Sequence, residues 1–275
     1  MNVDDIKKVA VCGAGLMGHG IALEIAAAGY DVGLYDLATE YLDRGMARVR
    51  VGLECLVDDG RLPAGEVEAA VARIKPSTDL AQVAGDADLV IEAVAERLEI
   101  KQELFGRLDA VCPPRTILAS NSSTLMPSSL APATKRPDRV LVAHYWNPPY
   151  LLPTVEILGS SETSEESLNT VHALLLKIGK KPVILRKEVV GFIGNRLQFA
   201  LFREALHLVE SGVASPEDVD MVVRNSLGRR LAVAGPFEVF DLAGYDVIYN
   251  GCSYVFPDLS NVTEPQSILR ERVER

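Results

Sequence analysis

No run in this 275-residue chain approaches the roughly 20 consecutive apolar residues that a membrane-spanning helix needs, so no membrane role is expected. Met1-Asn2-Val3-Asp4-Asp5 is polar and acidic and does not read as a secretory leader. Cysteine is scarce: Cys12, Cys55, Cys112 and Cys252 lie far apart, form no Cys-x-x-Cys pair and lack metal-ligand spacing. They read as reduced, buried thiols of a cytoplasmic protein, with no metal site. No block of basic residues is present and the net charge is −10, which argues against nucleic acid or an anionic membrane surface as partner. Internal repeats and low-complexity tracts are missing too. What the chain does have is apolar residues, 48% of the total, enough for a sizeable core and, at this length, for two domains.

The most informative stretch is Val9-Ala10-Val11-Cys12-Gly13-Ala14-Gly15-Leu16-Met17-Gly18, with an acid waiting at Asp36. A short apolar strand runs into Gly-x-Gly-x-x-Gly, and Ile21, Ile25 and Ala28 then recur at helical spacing. A second strand, Asp31 to Asp36, ends in the carboxylate. Each part has a task in holding a dinucleotide. Gly13 permits the tight turn, Gly15 lets backbone approach a pyrophosphate, and Gly18 lets the helix pack closely on the strand. The helix N-terminus offers amide donors and a positive dipole end, with Leu16 and Met17 in the same turn. Asp36 would accept hydrogen bonds from the ribose hydroxyls and repel a 2′-phosphate, so NAD is expected over NADP.

Beyond Asp36 the pattern is α/β. Leu37 to Ile74 reads as two helices divided by Asp58-Asp59-Gly60-Arg61-Leu62-Pro63. Strands are expected at Ala87–Glu92, Thr116–Ser120, Val140–His144, Thr154–Leu158 and Lys181–Leu185, with a helix over Leu98–Val111. Thr163-Ser164-Glu165-Glu166 looks like a capping box opening another helix, which stops at Gly179. This alternation predicts a mostly parallel, doubly wound sheet of the Rossmann type. From Gly191 the pattern turns all-helical, with Ser215-Pro216-Glu217-Asp218 as a well-formed helix start. The expected division is a NAD-binding domain over 1–188 and a smaller all-α substrate and dimerisation domain over 189–275.

In open α/β sheets ligands meet the carboxyl ends of the strands. Ser122 and Ser123 follow the fourth strand there, and His144 ends the fifth. Glu156 stands in the apolar run Val155-Glu156-Ile157-Leu158, where a carboxylate needs a partner. A histidine with a buried carboxylate makes an acid–base pair, the acid fixing one ring nitrogen while the other faces substrate. Taken singly, His144 could be a core or capping histidine and Glu156 an edge-strand residue. Spacing alone does not join them.

These residues lie within several longer motifs: GAGLMGHGIA from Gly13, IEAVAERLEIKQELF from Ile91, SNSST from Ser120, HYWNPP from His144, VEIL from Val155 and GFIGNR from Gly191. In this order, from about Lys7 to about Ser260, they resemble the L-3-hydroxyacyl-CoA dehydrogenase superfamily. Within it, HYWNPPYLLPTVEIL reads like members that oxidise free hydroxy acids: L-gulonate 3-dehydrogenase (lambda-crystallin), L-carnitine dehydrogenase and a pyridine-carboxylate dehydrogenase. The resemblance implies that His144 is the general base and that Glu156 orients it. It implies that Ser123 and Asn195 hold the reacting oxygen, a positioning effect. Glu96, Lys101, Ser123 and Asn147 fall on cofactor-contact positions of the family.

Three departures bear on substrate and cofactor. The stretch that is often lysine-rich in CoA-using members here reads Asp58-Asp59-Gly60-Arg61, with Arg48, Arg50 and Arg61 the nearby cations. Acids there disfavour an anionic CoA. The family's two aromatics after the histidine are Tyr145-Trp146 here, and the sole tryptophan beside the base implies either an altered pocket shape or core packing. The family's Lys-x-Gly-x-Gly-Phe-Tyr continuation is not found before Arg275, which implies a lost segment or an incomplete chain, with weaker cofactor binding. The expected activity is therefore NAD-dependent oxidation of a secondary 3-hydroxyl to a 3-oxo group on a 3-hydroxyacyl-CoA. The alternatives are a free hydroxy acid such as gulonate, carnitine or a pyridine carboxylate, and a non-catalytic NAD-binding protein. Leu206, Val209, Val213, Val219, Met221, Val222 and Val223 give the helical domain more apolar surface than it can bury alone. A homodimer through that domain is the expected partner.

Overall fold

Lys8–Cys12 (β1) carries apolar side chains on both faces, as a strand central to a covered sheet must. Val9 and Val11 pack into one core cluster, Ala10 and Cys12 into another on the opposite face. In the computed structural model, which describes residues 1–274, the chain separates into two compact units, Met1–Ile193 and Gly194–Arg275. The first unit runs β1, α1 (Gly18–Ala27), β2 (Asp31–Tyr35), α2 (Thr39–Asp58), α3 (Val67–Arg73), β3 (Ile74–Ser77), α4 (Leu80–Ala84), β4 (Leu89–Glu92) and α5 (Leu98–Val111). It continues with β5 (Ile117–Ser120), α6 (Pro127–Leu130), β6 (Val140–Tyr145), β7 (Thr154–Gly159), α7 (Glu165–Lys177) and β8 (Lys181–Ile184). Its eight strands form one sheet in the order β3-β2-β1-β4-β5-β6-β7-β8. Strand order reverses between β1 and β4, which opens a crevice at the carboxyl ends of those strands.

The mostly parallel, Rossmann-type sheet is as expected, with one reversal. β7 pairs antiparallel with β6. Only residues 146–153 join them, too few for the dozen or so that a parallel crossover takes. The apolar spacing predicts helix through Ile74 and signals neither β3 nor α4. β3 is short and carries Pro76, which an edge strand tolerates. The α7 cap also differs: Ser164, not Thr163, is the N-cap and accepts from Ser167 N at 3.2 Å. Thr163 Oγ1 instead donates to the Val140 carbonyl. Among the cysteines, all free, Cys12 and Cys112 are buried, whereas Cys55 and Cys252 are only half-buried. Burial pushes the Cys12 thiol well above its usual range.

The second unit is helical: α8 (Gly194–Glu210), α9 (Pro216–Asn225), α10 (Leu227–Leu231), α11 (Pro236–Ala243), α12 (Tyr245–Val255) and α13 (Ser267–Val273). Ser215 caps α9 by accepting from Asp218 N at 3.1 Å, as its sequence predicts. Among the described residues of this unit, Ser260 is the only buried one. No helix among the described residues is long and apolar enough to cross a membrane.

Candidate active site

The turn after β1 is built on close approach. Gly13 has φ +105°, and a Cβ there would stand 2.6 Å from the Ala93 carbonyl oxygen. A Cβ on Gly18 would lie 1.7 Å from the Gly13 carbonyl oxygen, so α1 starts in contact with the turn itself. Gly15 is the opposite case: nothing lies within 4 Å of its missing Cβ. That open face beside a helix N-terminus fits the pyrophosphate of a dinucleotide. Leu16 is exposed at the same turn and Met17 precedes α1.

Asp36, just past β2, does more than wait for a ribose. Its Oδ2 accepts from Ala14 N at 2.8 Å and its Oδ1 from Leu37 N at 2.7 Å, tying the two strand ends together. His19, which the sequence reading did not single out, donates from Nδ1 to the Gly15 carbonyl at 2.7 Å. Burial lowers its pKa, which favours the neutral ring beside the turn.

A second layer lies behind the β4 and β5 ends. Lys101 on α5 has no exposed surface, and its Nζ stands 2.6 Å from Glu92 Oε1 and 3.2 Å from Glu96 Oε2. Glu92, itself fully buried, also accepts from Ser120 Oγ at 2.6 Å and from Val94 N at 2.7 Å. Glu96 in turn accepts from the Ser122 hydroxyl, from Ser123 N at 2.9 Å and from Thr124 N at 3.0 Å. It thereby orders the loop after β5 that carries Ser123. Burial alone would raise the Glu96 pKa, but the Ser122 hydrogen bond, the Lys101 charge and the Thr124 hydroxyl outweigh it, and the net shift is downward. The stability this ionised carboxylate contributes is therefore full above the ordinary value of 4.5 and fades only as the pH falls below it. Lys101 thus reaches the loop through Glu96, from a fully enclosed position.

Lys101→Met would leave Glu92 as a buried, unpaired anion, at a cost of about 3–5 kcal/mol. Thermal unfolding should show a Tm lower by roughly 6–20 °C. Lys101→Met/Glu92→Gln, which strands no charge, should recover most of that loss.

The antiparallel register of β6 and β7 sets His144 directly opposite Glu156. Nδ1 of His144 lies 2.9 Å from Glu156 Oε2, with the residues 4% and 3% exposed. A carboxylate can only accept, so Nδ1 carries the hydrogen and Nε2 is the basic nitrogen of the neutral ring. The other carboxylate oxygen, Oε1, accepts from Ile193 N at 2.8 Å, which fixes the acid from both sides. Trp146 and Phe192 bracket the imidazole, with ring centroids 5.5 and 5.4 Å away. Asn121 Oδ1 accepts from Tyr145 N at 2.9 Å and so holds the residue after the histidine.

Sequence-named residues thus fall into three groups: the turn from Gly13 to Gly18 with Asp36, the loop of Ser123 with Glu96 and Lys101, and His144 with Glu156. Asn147 is exposed just beyond β6. Asn195 stands in the first turn of α8, in the second unit. Asn121, Glu92 and His19 were missed. Glu92 had a readable signal, a lone acid ending the apolar run Leu89-Val90-Ile91. Two of the three cations near Asp58 and Asp59 are engaged within the protein: Arg50 Nη1 lies 2.6 Å from Glu68 Oε1, and Arg61 pairs with Glu24 and Asp59 and donates to the Tyr150 carbonyl.

Both parts of the chain match one family of known proteins. The family described as 3-hydroxyacyl-CoA dehydrogenase, NAD binding domain, matches residues 8–189, and its C-terminal domain matches residues 191–275. Over 97% of its length and 85% of the relative's, the chain is 34% identical to a 5-formyl-3-hydroxy-2-methylpyridine 4-carboxylate 5-dehydrogenase of Mesorhizobium japonicum. Over 88% of its length and 83% of the relative's, it is 39% identical to a probable 3-hydroxybutyryl-CoA dehydrogenase of Bacillus subtilis. A solved structure of a 5-formyl-3-hydroxy-2-methylpyridine 4-carboxylic acid 5-dehydrogenase, an NAD+-dependent dismutase, superposes with a TM-score of 0.92 at 34% identity. That alignment covers 98% of this chain and 86% of the other.

Proposed function

The chain belongs to the 3-hydroxyacyl-CoA dehydrogenase family and is an NAD-dependent dehydrogenase acting on a hydroxyl group, and from that premise we propose that His144 and Glu156 are its acid–base pair. The reaction is reversible oxidation of a secondary 3-hydroxyl to a 3-oxo group. The observation that carries this reading is the 2.9 Å His144–Glu156 contact, buried at the end of β6.

When bound, NAD supplies the hydride acceptor at its nicotinamide ring. The chain's own residues do the rest. His144 Nε2 takes the hydroxyl proton, and Glu156 stabilises the imidazolium that results. Ser123 and Asn195 hydrogen-bond the reacting oxygen and hold its carbon in place. Gly13, Gly15, Leu16, Met17 and Gly18 would line the pyrophosphate, Asp36 would meet the ribose, and Asn147 and Glu96 would complete the cofactor site with Lys101 behind Glu96. Asp36 must share its oxygens between the ribose and the two backbone amides that it already holds.

Two substrate handles fit this chemistry. The family at large supports a 3-hydroxyacyl-CoA. A free hydroxy acid is supported by a specific observation: two of the three cations near Asp58 and Asp59, Arg50 and Arg61, already carry internal carboxylate partners. Anionic CoA phosphates would have to compete for them. NADH oxidation measured in parallel with acetoacetyl-CoA and with free 3-oxo acids decides between the two. Turnover of the thioester alone assigns the CoA handle, and turnover of free acids alone assigns the other. Turnover of neither sinks the 3-oxo chemistry itself.

The assembly proposed is a homodimer through the second unit, in a cytoplasmic setting. That unit leaves Phe199, Met221, Phe237 and Leu242 exposed, and a cavity of about 650 Å³ is lined mainly by apolar side chains, among them Phe199, Phe202, Leu206, Val219, Val262 and Leu269. Exposed apolar side chains in this number support an interaction face. A monomer by sedimentation at micromolar concentration would contradict this assembly.

A further inference from the structure

The connection between β6 and β7, residues 146–153, carries Trp146 and Asn147 and joins the strands that hold His144 and Glu156. Backbone carbonyls in such a loop have no strand partner and need donors. Here two cations supply them. Lys180 Nζ donates to the Pro149 carbonyl and, at 3.1 Å, to that of Leu152, while Arg61 donates to the Tyr150 carbonyl. One carboxylate holds both cations: Glu24 Oε1, on α1, lies 2.6 Å from Lys180 Nζ and 3.7 Å from Arg61 Nη2.

This node lies on the opposite face of the sheet from the catalytic pair. Tyr145, one residue past His144, packs with the α1-side core, and its ring centroid is 5.7 Å from the Lys180 ammonium. Glu24 and Lys180 are 6% and 3% exposed. Burial raises the Glu24 pKa to about 7 even with both cations beside it. Well-packed apolar residues would serve stability at least as well at such a place, so the charges need another reason. Their geometry supplies one. Glu24 belongs to the helix that opens at the glycine turn, and its partners grip the loop that carries Asn147. The contact is tight on both helices beneath: a Cβ on Gly20 would stand 2.9 Å from Pro149 Cδ, and one on Gly52 would stand 3.3 Å from Tyr150 Cε1.

We propose that Glu24, Lys180 and Arg61 form a positioning node that locks the β6–β7 connection to the glycine-turn helix, setting the span between the pyrophosphate end of the cofactor site and its nicotinamide end. The three residues act on the cofactor site through Asn147 and the end of β6, not by contact with NAD. The node rests on the proposed NAD site, and its NADH readout does not depend on which substrate handle is right.

The test uses Trp146, the sole tryptophan, as a reporter inside the loop. NADH titrations followed by Trp146 emission, together with thermal unfolding, are compared for Glu24→Gln, Lys180→Met and Glu24→Gln/Lys180→Met. Glu24→Gln strands the buried Lys180 ammonium, and Lys180→Met leaves Glu24 only the more distant Arg61, so both should melt lower. The double variant strands none and should recover most of its Tm, yet bind NADH about 10-fold more weakly, because the Pro149 and Leu152 carbonyls have lost their donor. Its Trp146 emission should stay shifted from wild type. Recovery of affinity and emission along with Tm would reduce the node to a structural ion pair and overturn the proposal. Arg61→Ala provides an independent arm, since Arg61 is partly exposed and its loss leaves Glu24 paired with Lys180. It should keep the wild-type Tm while weakening NADH roughly threefold and lowering Trp146 anisotropy. Unchanged affinity and anisotropy would count against the node even if the double variant fails to fold.

Discussion

His144→Ala should lower kcat by about 10²- to 10⁴-fold, the usual cost of losing a general base, while NAD affinity stays near that of the parent chain. The separation of the two effects follows from place. The imidazole stands at the end of β6 with Trp146 and Phe192 against its ring, whereas the pyrophosphate turn is at the end of β1. Glu156→Gln should also be costly, by about 10²-fold or more, although its volume is unchanged. Glu156 accepts from His144 Nδ1 through one oxygen and from Ile193 N through the other. An amide has only one accepting oxygen, so one of these donors would face an NH₂ group instead. Turning that NH₂ toward the ring favours the tautomer with its hydrogen on Nε2, where the base is needed. Steady-state kinetics at saturating NAD, with circular dichroism to show that the variants fold, checks both. Undiminished kcat in His144→Ala would remove the assigned mechanism.

Gly15→Ala should weaken NAD by about 10²-fold, or ~2.8 kcal/mol, and leave the melting temperature of the NAD-free protein nearly unchanged. No protein atom lies within 4 Å of the added Cβ, so the fold has room for it. The space it would fill is where backbone must approach the pyrophosphate. Gly18→Ala should do the reverse. Its Cβ would fall 1.7 Å from the Gly13 carbonyl oxygen and 3.4 Å from Val11 Cγ1, so the start of α1 must move. Folding suffers first there, and cofactor binding follows it down. Calorimetric NAD titration and thermal unfolding of both variants give a crossed pattern if the turn is the pyrophosphate site. Full NAD affinity in Gly15→Ala would place the pyrophosphate elsewhere.

Much of this was legible in local pattern. β1, the glycine turn, α1 and β2 follow from a strand pattern, three glycines and an acid, because each depends on neighbours within a few residues. The Ser215 cap was legible for the same reason. β3 was not, since Ile74-Lys75-Pro76-Ser77 has neither alternation nor a β-rich run; it is a strand because β2 lies beside it. The direction of β7 was within reach, since eight residues, 146–153, cannot carry a parallel crossover.

The buried charges divide along the same line. Glu24 stands out in the apolar run Ile21-Ala22-Leu23-Glu24-Ile25-Ala26, and Glu156 in Val155-Glu156-Ile157-Leu158, so the pattern alone says that each acid needs a partner. It does not say which. Glu156 meets His144 only because the β6–β7 register places residue 144 opposite 156, and Glu24 meets Lys180 only because the two lie together on one face of the finished sheet. By itself the sequence determined which residues turn inward and where a dinucleotide can be held, since periodicity and turn chemistry act over a few residues. The tertiary structure alone decided which buried acid answers which base, because such pairs are matched across strand order and register, far apart along the chain.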